Sequence, residues 1–130
     1  MPDLADLLGS DEAGSAETLT LYIPSCDRDG TPFDTAPWVE EALRLLSTIG
    51  GGATAMPPAD GAWLNPASGQ LVREPVVLVY TFVRPEAFEA KVGEVREFLH
   101  RLGRNTGQGE VVCDFGGVLY RIWTYDSGKG

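Results

Sequence analysis

The stretch Pro75-Val76-Val77-Leu78-Val79-Tyr80-Thr81-Phe82-Val83, followed after Arg84 by Pro85-Glu86-Ala87-Phe88-Glu89-Ala90-Lys91-Val92-Gly93-Glu94-Val95-Arg96-Glu97-Phe98-Leu99-His100-Arg101-Leu102, decides the fold. Its first half is an unbroken apolar run rich in β-branched and aromatic residues, the composition of a buried strand, and the strand pattern extends back to Gln70. Pro85 and Glu86 then open a helix, because proline in a first turn gives up only an N–H that has no partner there. Phe88, Val92, Val95, Leu99 and Leu102 recur at steps of four and three, one stripe of a helix that Gly103 closes.

The flanking sequence supplies the partners this strand and helix need. Upstream, Thr18-Leu19-Thr20-Leu21-Tyr22-Ile23 alternates with the period of a half-buried strand, which Pro24 ends because it has no N–H to donate. Ser25 to Phe33 is a polar loop. Asp34 or Thr35 as N-cap, Pro37, Glu40 and Glu41 then announce a helix whose Val39, Ala42, Leu43, Leu46 and Ile49 share a face, stopped by Gly50-Gly51-Gly52. Gly52 to Met56 and Gly61 to Leu64 are strand-like pieces interrupted by Pro57-Pro58, an edge strand with a bulge, and the turn Asn65 to Gly69 leads into the long strand. Glu110 to Phe115 and Val118 to Trp123 flank Gly116-Gly117, the signature of a tight hairpin. The order β-α-β-β-α-β-β predicts an α+β fold, a ferredoxin-like sandwich whose antiparallel sheet carries two helices on one face. This single domain is expected over residues 19 to 125, between an acidic, largely disordered tail over 1 to 18 and a loose C-terminus over 126 to 130.

Composition narrows the functional classes. The 130 residues carry 10 Lys+Arg against 19 Asp+Glu, a formal charge of −9, which repels the phosphate backbone and disfavours nucleic acid as a partner. The start has no basic stretch leading into an apolar one, and no apolar run nears the roughly 18–20 residues a membrane span needs, so a cytoplasmic location is expected without membrane attachment. Cys26 and Cys113, outside any CxxC, are expected to be free thiols. In the acidic tail, Leu4, Leu7 and Leu8 would share one face of a short helix, the pattern of a segment that docks in a groove or of a frayed terminus.

Leu21-Tyr22-Ile23-Pro24, Trp38 at the start of the first helix, Gly51-Gly52-Ala53-Thr54, Gly61-Ala62-Trp63 and Gly69-Gln70-Leu71-Val72-Arg73-Glu74-Pro75 resemble small bacterial α/β proteins of uncharacterised families. The likeness covers about residues 19 to 122 and rests on glycines, tryptophans and apolar positions. It implies a fold and carries no catalytic residue with it.

Few side chains point to chemistry. Asp27-Arg28-Asp29-Gly30 echoes part of a calcium loop, but the bidentate Glu required at the twelfth position would fall on Trp38, so a turn is expected and no metal ligands are assigned. Asp27 also suits a metal-dependent hydrolase or nuclease, in which an acidic residue at the end of the first strand, doubled across a dimer, holds Mg²⁺. Arg96, His100 and Arg104 form a row at steps of four that suits an anion or a partner carboxylate, or else complements the helix dipole. His100 is the only histidine and so the only side chain with an ordinary pKa near neutrality. Glu74, at the entrance to the long strand, suits a general acid if burial raises its pKa, or an edge charge that blocks aggregation. GxSxG, P-loop, HExxH and GxGxxG patterns do not occur, and Gly50-Gly51-Gly52 follows a helix where phosphate loops precede one.

These observations favour a small interaction or regulatory module without cofactor, more consistent with a non-enzyme, that binds a protein partner or small ligand through an open sheet face as a dimer. Tyr22, Tyr80, Phe82, Tyr120 and Trp123 would otherwise meet water. The alternative from another class is an enzyme using Asp27 with a metal, or His100 with Glu74.

Overall fold

The computed structural model describes residues 3–12, 14 and 16–128, so expectations touching Met1, Pro2, Ala13, Ser15, Lys129 and Gly130 lie outside the described residues. In chain order the elements are α1 (Leu4–Leu8), β1 (Glu17–Pro24), α2 (Ala36–Gly50), β2 (Thr54–Ala55), β3 (Ala59–Leu64), β4 (Leu71–Val83), α3 (Pro85–Asn105), β5 (Val111–Phe115) and β6 (Val118–Ile122). The result is a mixed α+β structure around one open antiparallel sheet. Strand order is β2-β4-β1-β5-β6, with β3 also pairing with β4. β4 is long enough to take β2 and β3 in succession along one edge, which is how the chain accommodates Pro57-Pro58 between them.

Register separates the two faces. Directly paired residues of antiparallel strands share a face. Leu19, Leu21 and Ile23 pair with Thr81, Val79 and Val77, and Leu21 pairs on the other side with Cys113. This face is covered by α2 and α3 and holds the core, where Leu19, Leu21, Ile23, Ala42, Leu46, Val79 and Leu102 are fully buried. The helices are joined by Trp38 edge-on to Phe98 at 6.1 Å and by Arg101, which sits 5.4 Å over the Trp38 ring while pairing with Glu41. α2 reaches the sheet at Gly50, where any side chain would collide with Thr81 and lie 2.9 Å from the Phe82 carbonyl.

The opposite face carries Thr18, Thr20 and Tyr22 beside Phe82, Tyr80, Leu78, Val76 and Glu74. Among the described residues no helix covers it. Phe82 stands 61% exposed and packs edge-on to Tyr80. Tyr22 donates to Asp114 at 2.8 Å, and its pKa is pushed up to about 12 by burial, then by that hydrogen bond and the Asp114 charge.

Four expectations change. Tyr120 pairs with Cys113 and so lies on the helix side of the sheet, not the open face, although the edge position leaves it exposed. In α3 the buried stripe is Val95, Phe98, Leu99 and Leu102, while Val92 is exposed. Gly103 does not end the helix, which continues to Asn105; it is a notch filled by the Tyr125 ring. Asp126, expected in a loose tail, is tied to α3 as described below. At the N-terminus, Asp3 caps α1 and Leu4, Leu7 and Leu8 all project into solvent. Among the described residues no helix is long and apolar enough to cross a membrane, and Cys26 and Cys113 are free.

Candidate functional site

A groove of about 770 Å³ crosses one end of the open face, a size suited to a small molecule. Each strand end contributes to it. β3 supplies Trp63, which shares the open face with its partner Val72. β4 supplies Glu74, the loop after β1 supplies Cys26, Asp27, Arg28 and Gly30, and the segment before β5 supplies Gln108, Gly109 and Glu110, with Arg121 reaching in from β6.

The loop wall is built by the chain's own polar groups. Asp27 Oδ1 accepts the N–H groups of Asp29 at 2.8 Å and Thr31 at 2.9 Å, an Asx turn that Gly30 completes at a left-handed φ of 84°. The Asp27 carboxylate is therefore used to close a turn. Among the described residues no three His, Cys, Asp or Glu side chains converge in a way that would hold a metal ion.

The arginines around the groove are already engaged. Arg73 pairs with Asp60 at 3.4 Å and Arg121 with Glu110 at 3.5 Å. Arg28 donates to the carbonyls of Gly107 at 3.5 Å and Gln108 at 3.4 Å. Glu74 is different. Among the described residues it has no cationic partner, and burial raises its pKa above the ordinary 4.5, opposed by a hydrogen bond from the Cys26 backbone N–H. A half-buried carboxylate facing a groove without a counter-ion favours a cation arriving from outside.

The structure places the remaining sequence candidates elsewhere. His100 is buried on α3, on the helix side of the sheet, so it does not meet Glu74 on the open face. Its Nδ1 accepts the Asp126 backbone N–H at 2.7 Å. Arg96 grips the Asp126 carboxylate with two bonds of 2.8 Å, and Arg104 donates to the Asp126 carbonyl at 2.5 Å. The anion held by the Arg96, His100 and Arg104 row is thus the chain's own Asp126, whose pKa is lowered mainly by the Arg96 hydrogen bonds. Tyr80, Tyr120 and Trp123 stand outside the groove. Sequence reasoning missed Trp63, Gln108 and Arg121 as groove residues. Gln108 carried a weak signal, a glutamine between two glycines immediately before a strand.

No family model matches the sequence, and no curated protein matches it. Among solved structures, a phage SAM lyase in complex with S-methyl-5'-thioadenosine superposes with a TM-score of 0.62 at 19% identity, covering 86% of this chain and 92% of that one. A phage SAM lyase in its apo state gives 0.60 at 18% identity, covering 91% of this chain and 98% of that one. A Bacillus cereus protein related to NIF3 aligns with 92% of this chain but 31% of its own, at 16% identity and a TM-score of 0.46. At these identities the similarity to the phage enzyme is one of fold.

Proposed function

We propose that this chain is a ferredoxin-like module that binds a small cationic molecule bearing a flat aromatic group, in the groove between Trp63 and the Asp27 loop, with Glu74 as the counter-charge. The single observation that carries the reading is Glu74, a half-buried carboxylate lining the groove that has no cation of its own among the described residues while the neighbouring arginines are engaged. Trp63, half exposed beside it, offers a ring face for stacking or for a cation, each worth roughly 0.5–1.5 kcal/mol. The strand order, with the β5–β6 hairpin added to a β2-β4-β1-β5 core, supports the ferredoxin-like assignment. The phage SAM lyase, similar in fold, supports S-adenosyl compounds as the ligand class to test first.

Titration calorimetry with S-adenosylmethionine and with S-methyl-5'-thioadenosine tests this directly, because the two share a methylthioadenosyl group and only the first carries cationic groups, its sulfonium and the ammonium of its amino-acid portion. The cation binds more tightly to the wild-type chain, and Glu74→Gln removes most of that preference. Absence of binding by both compounds at millimolar concentration, or a preference that survives Glu74→Gln, overturns the proposal. The metal-dependent hydrolase reading draws no support from Asp27, whose carboxylate closes the turn.

Self-association is a second proposal, favoured by a specific observation. β6 is an edge strand whose Val118, Leu119 and Tyr120 are about half exposed, with Trp123 66% exposed just beyond it, and such edges pair readily with another strand. Light scattering of the wild type and of Leu119→Lys reads the outcome: a monomer at all concentrations removes this proposal.

A further inference from the structure

The C-terminal residues form a strap over α3 that is wired to the groove. Tyr125 seats its ring in the notch at Gly103, and its hydroxyl donates to the Gln108 carbonyl at 2.9 Å. Gln108 is buried, and its side-chain amide donates to the Cys26 carbonyl at 2.8 Å while also contacting Thr106. The Arg28 N–H donates to the Gly107 carbonyl at 3.0 Å. The backbone N–H of Cys26 in turn faces the Glu74 carboxylate. A continuous set of hydrogen bonds therefore runs from the strap, through a buried glutamine, to the loop wall beside Glu74. At its far end the strap is fixed to α3 by Arg96, His100 and Arg104 through Asp126.

We infer that Tyr125 and Gln108 are positioning residues that hold the Cys26–Gly30 wall against Glu74, so that seating of the C-terminal strap controls ligand binding in the groove. This rests on the small-ligand reading above. No residue of the strap lines the groove itself; Tyr125 meets the lining through Gln108 and acts by fixing where the wall stands. Coupling of this kind is reciprocal, so a ligand pressing the wall inward also protects the strap.

The test uses the full chain, with Tyr125→Phe, which keeps the ring and removes one donor, and Gln108→Met, which removes the amide at similar length. Amide hydrogen exchange is followed at Asp27, Arg28 and Gly30 in the wall and at Leu21 and Val79 in the β1–β4 core, alongside calorimetry with S-adenosylmethionine. Tyr125→Phe raises exchange at Arg28 and weakens binding, each by roughly 2- to 10-fold, the range for one lost hydrogen bond. Leu21 and Val79 keep their protection, which a general loss of stability would not allow. Gln108→Met gives the larger effect on both readouts. Wall exchange that is unchanged, or that rises only in step with Leu21 and Val79, overturns the inference, as does binding that is unaffected while the wall loosens. If wild-type protein binds neither adenosyl compound but wall exchange still responds to Tyr125→Phe, the ligand reading fails and the strap-to-wall coupling stands.

Discussion

Substituting Gly103 by alanine sets two effects of known size against each other. In an exposed helix interior the change stabilises by roughly 1 kcal/mol, since glycine costs that much in backbone entropy. Here a Cβ would collide with the Tyr125 ring, 2.9 Å from Cδ1 and nearer still to Cε1 and Cζ. The ring has no flexible end to bend aside, so Tyr125 must leave the notch. Leaving breaks its bond to Gln108, worth about 1 kcal/mol, and uncovers an aromatic side chain that packs on the core and stands edge-on to His100 at 6.1 Å, roughly another 1–2 kcal/mol. The balance is a net loss of about 1–2 kcal/mol for Gly103→Ala. Urea unfolding followed by circular dichroism measures it, and the decisive comparison uses a Tyr125→Ala background. With the ring gone, Gly103→Ala should turn stabilising by up to roughly 1 kcal/mol, a coupling of about 2–3 kcal/mol between the two positions. Gly103→Ala that stabilises the wild type, or that has the same sign in both backgrounds, refutes the notch.

Three further outcomes follow from the same geometry. Glu74 has a folded-state pKa above its unfolded value, so its ionisation works against folding: the stability it allows is full below pH about 4.5 and falls as pH rises through the folded pKa. Glu74→Gln should therefore stabilise the ligand-free chain at pH 7 and not at pH 4, while weakening a cationic ligand by about 1–2 kcal/mol after allowance for solvent screening; equal stability change at both pH values contradicts the first half. Tyr22 should titrate near 12 in ultraviolet difference spectra, and stability should decline from pH 10 toward 12, because a raised folded pKa favours the protonated form. Asp114→Asn should bring that midpoint part of the way back, leaving the contribution of burial, and an unmoved midpoint would show that the pair is not formed in solution. Gly50→Ala should cost about 1–3 kcal/mol despite its place in a helix, because the new methyl meets Thr81 and the Phe82 carbonyl; thermal melts that improve would refute the close approach.

The elements were legible in sequence where period and punctuation agreed. Leu19, Leu21 and Ile23 are buried as their alternation requires, and the proline-opened helices begin at Ala36 and Pro85 as their first turns suggest. What failed was long-range. Gly103 resembles a helix stop locally, and only the return of Tyr125, 22 residues later in the chain, turns it into a notch. Arg96, His100 and Arg104 resemble an anion site because their spacing is visible and Asp126 is not visibly near. The groove was half legible: Asp27 and Glu74 stood out by charge and position, whereas Trp63 and Arg121 enter it only because β3 and β6 lie at opposite edges of one sheet. Local rules report what a segment prefers, and a site assembled from five segments depends on register, which they do not encode.

The Gly116-Gly117 turn decides which backbone groups of β6 face outward. Its two positive φ angles, 61° and 84°, close a two-residue hairpin in which Phe115 and Val118 exchange their hydrogen bonds. Alternation along β6 then aims the main-chain groups of Leu119 and Arg121 away from the protein. The sheet is in this sense an unfinished polymer, since among the described residues no strand pairs with the outer side of β6. Any extended segment that reaches this edge has a ready template there.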